Sequence, residues 1–291
     1  MSANLYAFAA IALWASLAAM GVALAHVPPF LLTGLALIIG STLAWPAVLR
    51  DKRQWRVSLP VLALGVATLF GFHFLLFLAL RLASAVEVNL VNYLWPLLIV
   101  VLAPWYLPHT PWRARHVIAA VVGFAGAAMA IWSANPVATS PAAPMAASVS
   151  SAWGYVLALA SALIWANYSL QTKRLAVKGR GFETAAIGLF GLVSGALSLL
   201  CHALLEPATA LGTQDGLLIL AMGLGPLGAA FFLWDKALKG GDARHIGLLS
   251  YLTPLASTVL LMLATGRALS WSIALAAAMI VGAALAGTRG A

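Results

Sequence analysis

The sequence predicts an all-α integral membrane protein of ten transmembrane helices, built as two inverted-topology five-helix repeats with both termini cytoplasmic. Three observations lead there. Of the 291 residues 63% are hydrophobic and only 8% are Asp, Glu, Lys or Arg, with a mean hydropathy of +1.00, and soluble folds of this length carry far more charge. The few charges are spaced so that the runs between them approach the roughly 20 apolar residues a spanning helix needs. The chain also repeats part of itself at a shift of 158 positions.

The first five spans are the charge-poor runs 5–25, 27–49, 57–80, 88–108 and 117–134. The first is expected to remain in the mature chain, because no basic residue precedes it and it is longer than a signal core. Residues 117–172 contain no charge at all, so their division rests on the Pro- and Ser-rich stretch 135–151 with Pro136, Pro141 and Pro144, which reads as an extracytoplasmic linker. Spans six to ten follow at 152–172, 184–205, 216–234, 246–266 and 268–288, the last two parted mainly by Arg267. The domain reading is thus a first five-helix repeat over 1–134, the linker over 135–151 and a second over 152–291.

Charge placement supports this count. With the N-terminus inside, 14 of the 16 Lys and Arg residues fall on the cytoplasmic side and only Arg81 and Arg267 outside, the asymmetry of the positive-inside rule. One missed or invented span would scramble the alternation from that point on. The net charge of +9 is then explained by topology and by attraction to anionic lipid headgroups, so a nucleic-acid partner is not needed. The expected partners are the lipid bilayer and a small-molecule substrate, with the oligomeric state left open. The lone Cys201 permits no internal disulfide, and no His or Cys cluster at ligand spacing suggests a metal. No cofactor is expected.

The repeat lays Tyr93-Leu94-Trp95-Pro96-Leu97 on Tyr251-Leu252-Thr253-Pro254-Leu255 and Ala79-Leu80-Arg81 on Ala237-Leu238-Lys239. Five spans is an odd number, so the second copy enters the membrane from the opposite side. Such inverted pairs can adopt two nearly equivalent packings around a site near the bilayer midplane, which favours alternating access.

Interior prolines mark where that site is expected. Pro96 and Pro254 each remove a backbone donor and loosen the preceding turn. The run Gly223-Leu224-Gly225-Pro226-Leu227-Gly228 in span eight admits close approach by either a helix or a ligand. Phe70, His73, Phe74 and Phe77 share one helical face, and Asn89, Asn92, Tyr93 and Pro96 share another. Asn92 in hydrocarbon needs a partner, so it either joins helices or meets substrate. His73 reads as the only ionisable residue deep inside a span, and is a substrate contact, a proton-coupling group or a neutral histidine bonded to a carbonyl. Glu87 and its repeat mate His245 sit near opposite faces as gate, cap or interfacial residues. Trp14, Trp95, Trp165 and Trp234 lie deeper than the belt tryptophans Trp45, Trp55, Trp105, Trp112, Trp132 and Trp153. Aromatic linings stack on flat ligands and attract ammonium groups, and an aromatic amino acid has both features.

Over its ten spans in two five-span repeats the chain resembles the EamA-type transporters of the drug/metabolite superfamily. Within that family Val91-Asn92-Tyr93-Leu94-Trp95-Pro96-Leu97, with His73 in the span before, looks like the bacterial inner-membrane exporters of aromatic amino acids. The resemblance implies a secondary transporter that exports aromatic and other neutral amino acids from the cytoplasm, through a cavity lined by spans one, three, four, six, eight and nine. It carries His73, Asn92, Tyr93 and Trp95 as substrate contacts, with Phe77 on the face of His73. Ser250, Tyr251 and Thr253 enter through the repeat, and Trp14 and Trp165 through helix position. The second repeat has Thr253 where the first has Trp95, so the lining is asymmetric.

Two alternatives stand beside this reading. An exporter of phosphorylated metabolites would want a cation inside the spans, and a drug-cation exporter a buried carboxylate. A membrane-embedded enzyme would need a nucleophile with a base, and His73 has no acid at a neighbouring deep position. No phosphate-cradling G-x-x-x-x-G-K-S/T motif is present, so flux should follow a gradient.

Overall fold

The structure is a computed structural model that describes residues 2–108, 110–134, 149–264 and 271–288. The prolines of the expected linker, Arg267 and Arg289 lie outside the described residues. All regular structure among the described residues is helical. Seven stretches there are long and apolar enough to cross a membrane: Ala3–Ala23, Pro29–Arg50, Leu59–Leu82, Ala85–Tyr106, Ala114–Trp132, Ala186–Leu205 and Thr213–Gly240. The remaining expected spans correspond to a helix at Val149–Val177, a broken pair at Ala243–Leu249 and Leu252–Ala264, and the shorter apolar stretch Trp271–Ala286.

In chain order the helices are α1 (Ala3–Ala15), α2 (Leu17–Ala23), α3 (Pro29–Ser41), α4 (Trp45–Arg50), α5 (Leu59–Val66), α6 (Phe72–Leu82), α7 (Ala85–Asn92), α8 (Trp95–Tyr106), α9 (Ala114–Ala134), α10 (Val149–Val177), α11 (Ala186–Leu205), α12 (Thr213–Leu224), α13 (Ala230–Gly240), α14 (Ala243–Leu249), α15 (Leu252–Ala264) and α16 (Trp271–Thr288).

Their interruptions have local causes. Between α1 and α2 the Ser16 hydroxyl donates back to the Leu13 carbonyl at 2.7 Å. Ser41 and Thr42 do the same to Ile38 and Ile39 where α3 tightens into a 3₁₀ turn, a competition with the backbone ladder that bends helices. The chain widens into π turns at Ala67–Gly71, joining α5 to α6, and at Gly225–Ala229, joining α12 to α13. The α7–α8 break falls at Tyr93-Leu94 and the α14–α15 break at Ser250-Tyr251, each just before the interior proline.

These irregularities repeat. The π turns begin at Ala67 and Gly225, and α7 and α14 begin at Ala85 and Ala243, in both cases 158 positions apart. The repeated sequence therefore carries repeated local structure, including wide turns that mark functional positions in many helices.

The chain packs as two units, residues 1–74 with 175–240 and residues 75–174 with 241–291. Each draws on both sequence halves. In the first unit α3 packs on α11 and α12, and α1 on α13. Small residues let these backbones approach: a Cβ on Gly34 would lie 3.1 Å from the Gly195 carbonyl oxygen, and one on Gly40 would lie 2.8 Å from both the Gly223 oxygen and the Gly228 Cα. The Gly-rich run of span eight is thus used, at Gly223 and Gly228, for helix packing. In the second unit α9 packs on α16 and α15, and α14 on α8. Tyr251, Leu248, Ile280 and Ala127 are among its buried core.

Gly40→Ala is expected to destabilise the protein by about 2 kcal/mol or more, because the new methyl meets backbone that cannot rotate away. Gly282→Ala, where a Cβ meets nothing within 4 Å, should be neutral or stabilise by up to about 1 kcal/mol. Thermal unfolding in detergent separates the two; equal effects would contradict the close α3–α12 approach.

Candidate functional site

In the second unit the break at Tyr93-Leu94 ends α7 with a buried Asn92 and starts α8 with a buried Trp95. Proline at the second position of α8 costs no ladder bond, so the sequence restarts the helix there without penalty. The Asn92 Nδ2 donates to Ser161 Oγ of α10 at 3.0 Å, which satisfies one donor of the amide. One turn further along α10, Trp165 meets Trp95 edge-on at 6.2 Å between ring centroids, and Tyr168 lies 5.9 Å beyond it. The Tyr106 hydroxyl donates to Asn167 Oδ1 at 2.9 Å, fastening the other end of α8 to α10.

The outcome is one cluster of aromatic faces and hydrogen-bonding groups on α7, α8 and α10. It joins Asn92 and Trp95 with Ser161, Trp165 and Tyr168, the polar and aromatic residues that the sequence offers in span six. Tyr93 and Phe77 are half-buried in the same unit. Indole edges and faces offer a flat group offset or T-shaped contact, while an amide and hydroxyls recognise polar heads.

The other candidates of this unit have separate settings. The Ser250 hydroxyl donates to the Gly247 carbonyl at 2.6 Å. Tyr251 is fully buried, its ring against Gly123, where a Cβ would stand 2.6 Å from it. Its surroundings are those of a core tyrosine, although it matches Tyr93 in the repeat. Pro254 is buried two positions after α15 begins. Glu87 lies in the first turn of α7 and accepts from the Tyr155 hydroxyl. Its repeat mate His245 lies in the first turn of α14, where its backbone N–H and that of Arg244 donate to Asp242. Both positions belong to helix starts, where an acid or a cap complements the exposed N–H groups. Burial opposes ionisation of Asp242, but Arg244 and the two backbone N–H groups outweigh it and hold its pKa low.

In the first unit Trp14 packs on Trp234 with centroids 5.3 Å apart and on Phe231 at 6.1 Å. Its indole N–H donates to the Pro226 carbonyl at 3.1 Å, at the π turn of span eight. Trp234 is fully buried. His73 is buried just past the other π turn, its Nδ1 2.6 Å from the Leu69 carbonyl. That nitrogen therefore carries a hydrogen and donates. A carbonyl-bonded histidine is one of the settings the sequence left open.

A second buried ionisable group adds to this unit. Asp235 on α13 is 0% exposed; its Oδ2 accepts from Thr184 Oγ1 at 2.6 Å and from Lys239 Nζ at 2.7 Å. Lys239 also donates to the Phe182 carbonyl at 2.6 Å and sits 4.2 Å over the Phe182 ring. His73 is thus not alone as a buried ionisable residue in a candidate span. The signal in the sequence was the Asp-x-x-x-Lys spacing, which puts acid and base on one helical face. Among the described residues no group of three or more His, Cys, Asp or Glu could hold a metal ion.

The EamA-like transporter family matches this chain over residues 1–132 and 152–287. An "Aromatic amino acid exporter YddG" of Ancylobacter novellus is 39% identical, over 99% of this chain and 97% of that protein. A protein of the same name from Salmonella typhimurium is 28% identical, over 86% of this chain and 81% of its own. A solved crystal structure with 39% identity superposes with a TM-score of 0.88 and covers 99% of both chains.

Proposed function

Since the chain belongs to the EamA-like transporter family, we propose that it is a secondary transporter that exports aromatic and other neutral amino acids from the cytoplasm by alternating access. It is a multi-pass protein of the bacterial inner membrane. The observation that carries the substrate class is the cluster at the α7–α8 break, where Trp95 and Trp165 meet edge-on beside the Asn92–Ser161 bond. Rings of this kind favour a flat side chain and an ammonium group, and the amide–hydroxyl pair suits a zwitterionic backbone. The names of the relatives point to aromatic amino acids.

The proposal takes His73, Phe77, Asn92, Tyr93, Trp95, Trp14, Trp165, Ser250 and Tyr251 as substrate-binding candidates. Glu87, His245, Pro96 and Pro254 are gate or coupling candidates. It holds to ten spans in two inverted halves with both termini inside, supported by the lysine and arginine asymmetry and by irregularities recurring at a shift of 158. Two similar halves of opposite orientation have two packings of similar energy, and a substrate site exposed to one side in each is what alternating access requires.

Cells that express the chain are expected to grow at a concentration of p-fluorophenylalanine that arrests control cells, because export lowers the internal level of the analogue. Unchanged sensitivity, with the protein shown to be in the membrane, would contradict the aromatic substrate class.

A further inference from the structure

At the end of span two α4 leads into a 3₁₀ turn, Lys52–Trp55, through Asp51, whose carboxylate accepts the Arg53 backbone N–H. Trp45, Val48 and Leu49 of α4, Trp55 and Leu192 of α11 line a shallow, open apolar groove of about 230 Å³. Its far wall is fixed, because the Trp55 indole donates to the Ala185 carbonyl at 2.9 Å and its ring stands 3.6 Å from where a Cβ on Gly188 would be. Trp45 and Leu49 are exposed.

Directly beside the groove, residues 50–56 carry Arg50, Lys52, Arg53 and Arg56 against the single carboxylate of Asp51. All four cations are exposed, and the ion pairs among the described residues engage none of them. The loop that supplies Ala185 also carries exposed Lys178 and Arg180. An open apolar groove lined by two tryptophans and rimmed by exposed cations that make no ion pair among the described residues matches an acyl chain below and a phosphate above.

We infer that this groove is a binding site for an anionic phospholipid of the cytoplasmic leaflet, the acyl chain lying against Trp45, Leu49 and Leu192 and the phosphodiester meeting Arg50, Lys52, Arg53 and Arg56. Zwitterionic lipids bind less well there, because their terminal ammonium is set among like charges. The site is independent of the transported substrate, so it stands or falls apart from the export reading.

Native mass spectrometry of the full-length protein with phosphatidylglycerol or phosphatidylcholine tests it. Phosphatidylglycerol is expected to bind at least about tenfold more tightly, and Arg50→Gln/Arg53→Gln to remove most of that preference. Arg113→Gln/Arg289→Gln, which removes the same charge from other parts of the sequence, should keep it. Leu192→Gln should weaken retention of phosphatidylglycerol, and that lipid alone should raise the unfolding temperature of the unaltered chain. Should the first pair prevent folding, Lys52→Gln/Arg56→Gln gives the same reading. Equal binding of the two lipids, an equal loss in the Arg113→Gln/Arg289→Gln control, or full displacement by inorganic phosphate would overturn the inference.

Discussion

Trp95→Leu is expected to lower export of phenylalanine and tryptophan about five- to tenfold while changing export of alanine and threonine less than about twofold. The indole at this position opens α8, is 7% exposed and meets Trp165 edge-on. Leucine keeps an apolar group there but removes the ring. Aromatic pairs contribute about 0.5–1.5 kcal/mol beyond the area they bury, a factor of up to about ten in a rate or binding constant. A small aliphatic substrate never uses that contact. The measurement is efflux of each labelled amino acid from proteoliposomes, normalised to folded protein, since a shrunken side chain also loosens the α8–α10 packing. Equal loss for all four substrates would assign Trp95 a packing role only.

Lys239→Met is expected to destabilise the protein by about 3 kcal/mol or more. Asp235 is wholly buried, whereas the Lys239 side chain retains 19% exposure, so removing the cation strands a carboxylate that has no route to water. The neighbouring Thr184 hydroxyl, 2.6 Å from Oδ2, cannot neutralise it. Asp235→Asn alone should cost less, because Lys239 still has the Phe182 carbonyl and ring and can reach solvent. The double variant Asp235→Asn/Lys239→Met should recover most of the loss, since neither charge remains. Thermal unfolding followed by tryptophan fluorescence checks the cycle, with a drop of roughly 6 °C or more expected for Lys239→Met. Additive losses in the double variant would show that the two charges do not support one another.

The fold was readable where the physics is one-dimensional. Charge spacing and length determine where a helix can cross hydrocarbon, and both can be counted along the chain. The breaks at Tyr93-Leu94 and Ser250-Tyr251 were readable because a proline follows each within three residues. The π turn at Gly225–Ala229 coincides with a visible Gly-Pro cluster, but its counterpart Ala67–Gly71 contains no proline and one glycine. Only the shift of 158 positions points to it.

The candidate site was readable as a list of residue types and not as contacts. Asn92, Trp95, Trp165 and Ser161 could each be picked from span position, yet nothing in the sequence pairs Asn92 with Ser161 rather than with another hydroxyl. Tyr251 illustrates the opposite case: its match to Tyr93 is plain in the repeat, but the burial of its ring against Gly123 on α9 is a contact that the repeat does not show. Asp235 was hidden by the criterion itself. A span defined as a charge-free run must end at the first charge, so it stops at Trp234 and cannot register a carboxylate that continues the helix inside with its own lysine.

The most direct test of amino-acid export is flux through the purified chain in liposomes, with labelled phenylalanine or tryptophan moving down an imposed gradient, with and without a pH difference. Saturable aromatic flux well above protein-free vesicles, with competition by unlabelled phenylalanine, is expected. Absence of aromatic flux, in vesicles where the same protein moves another metabolite, would contradict it.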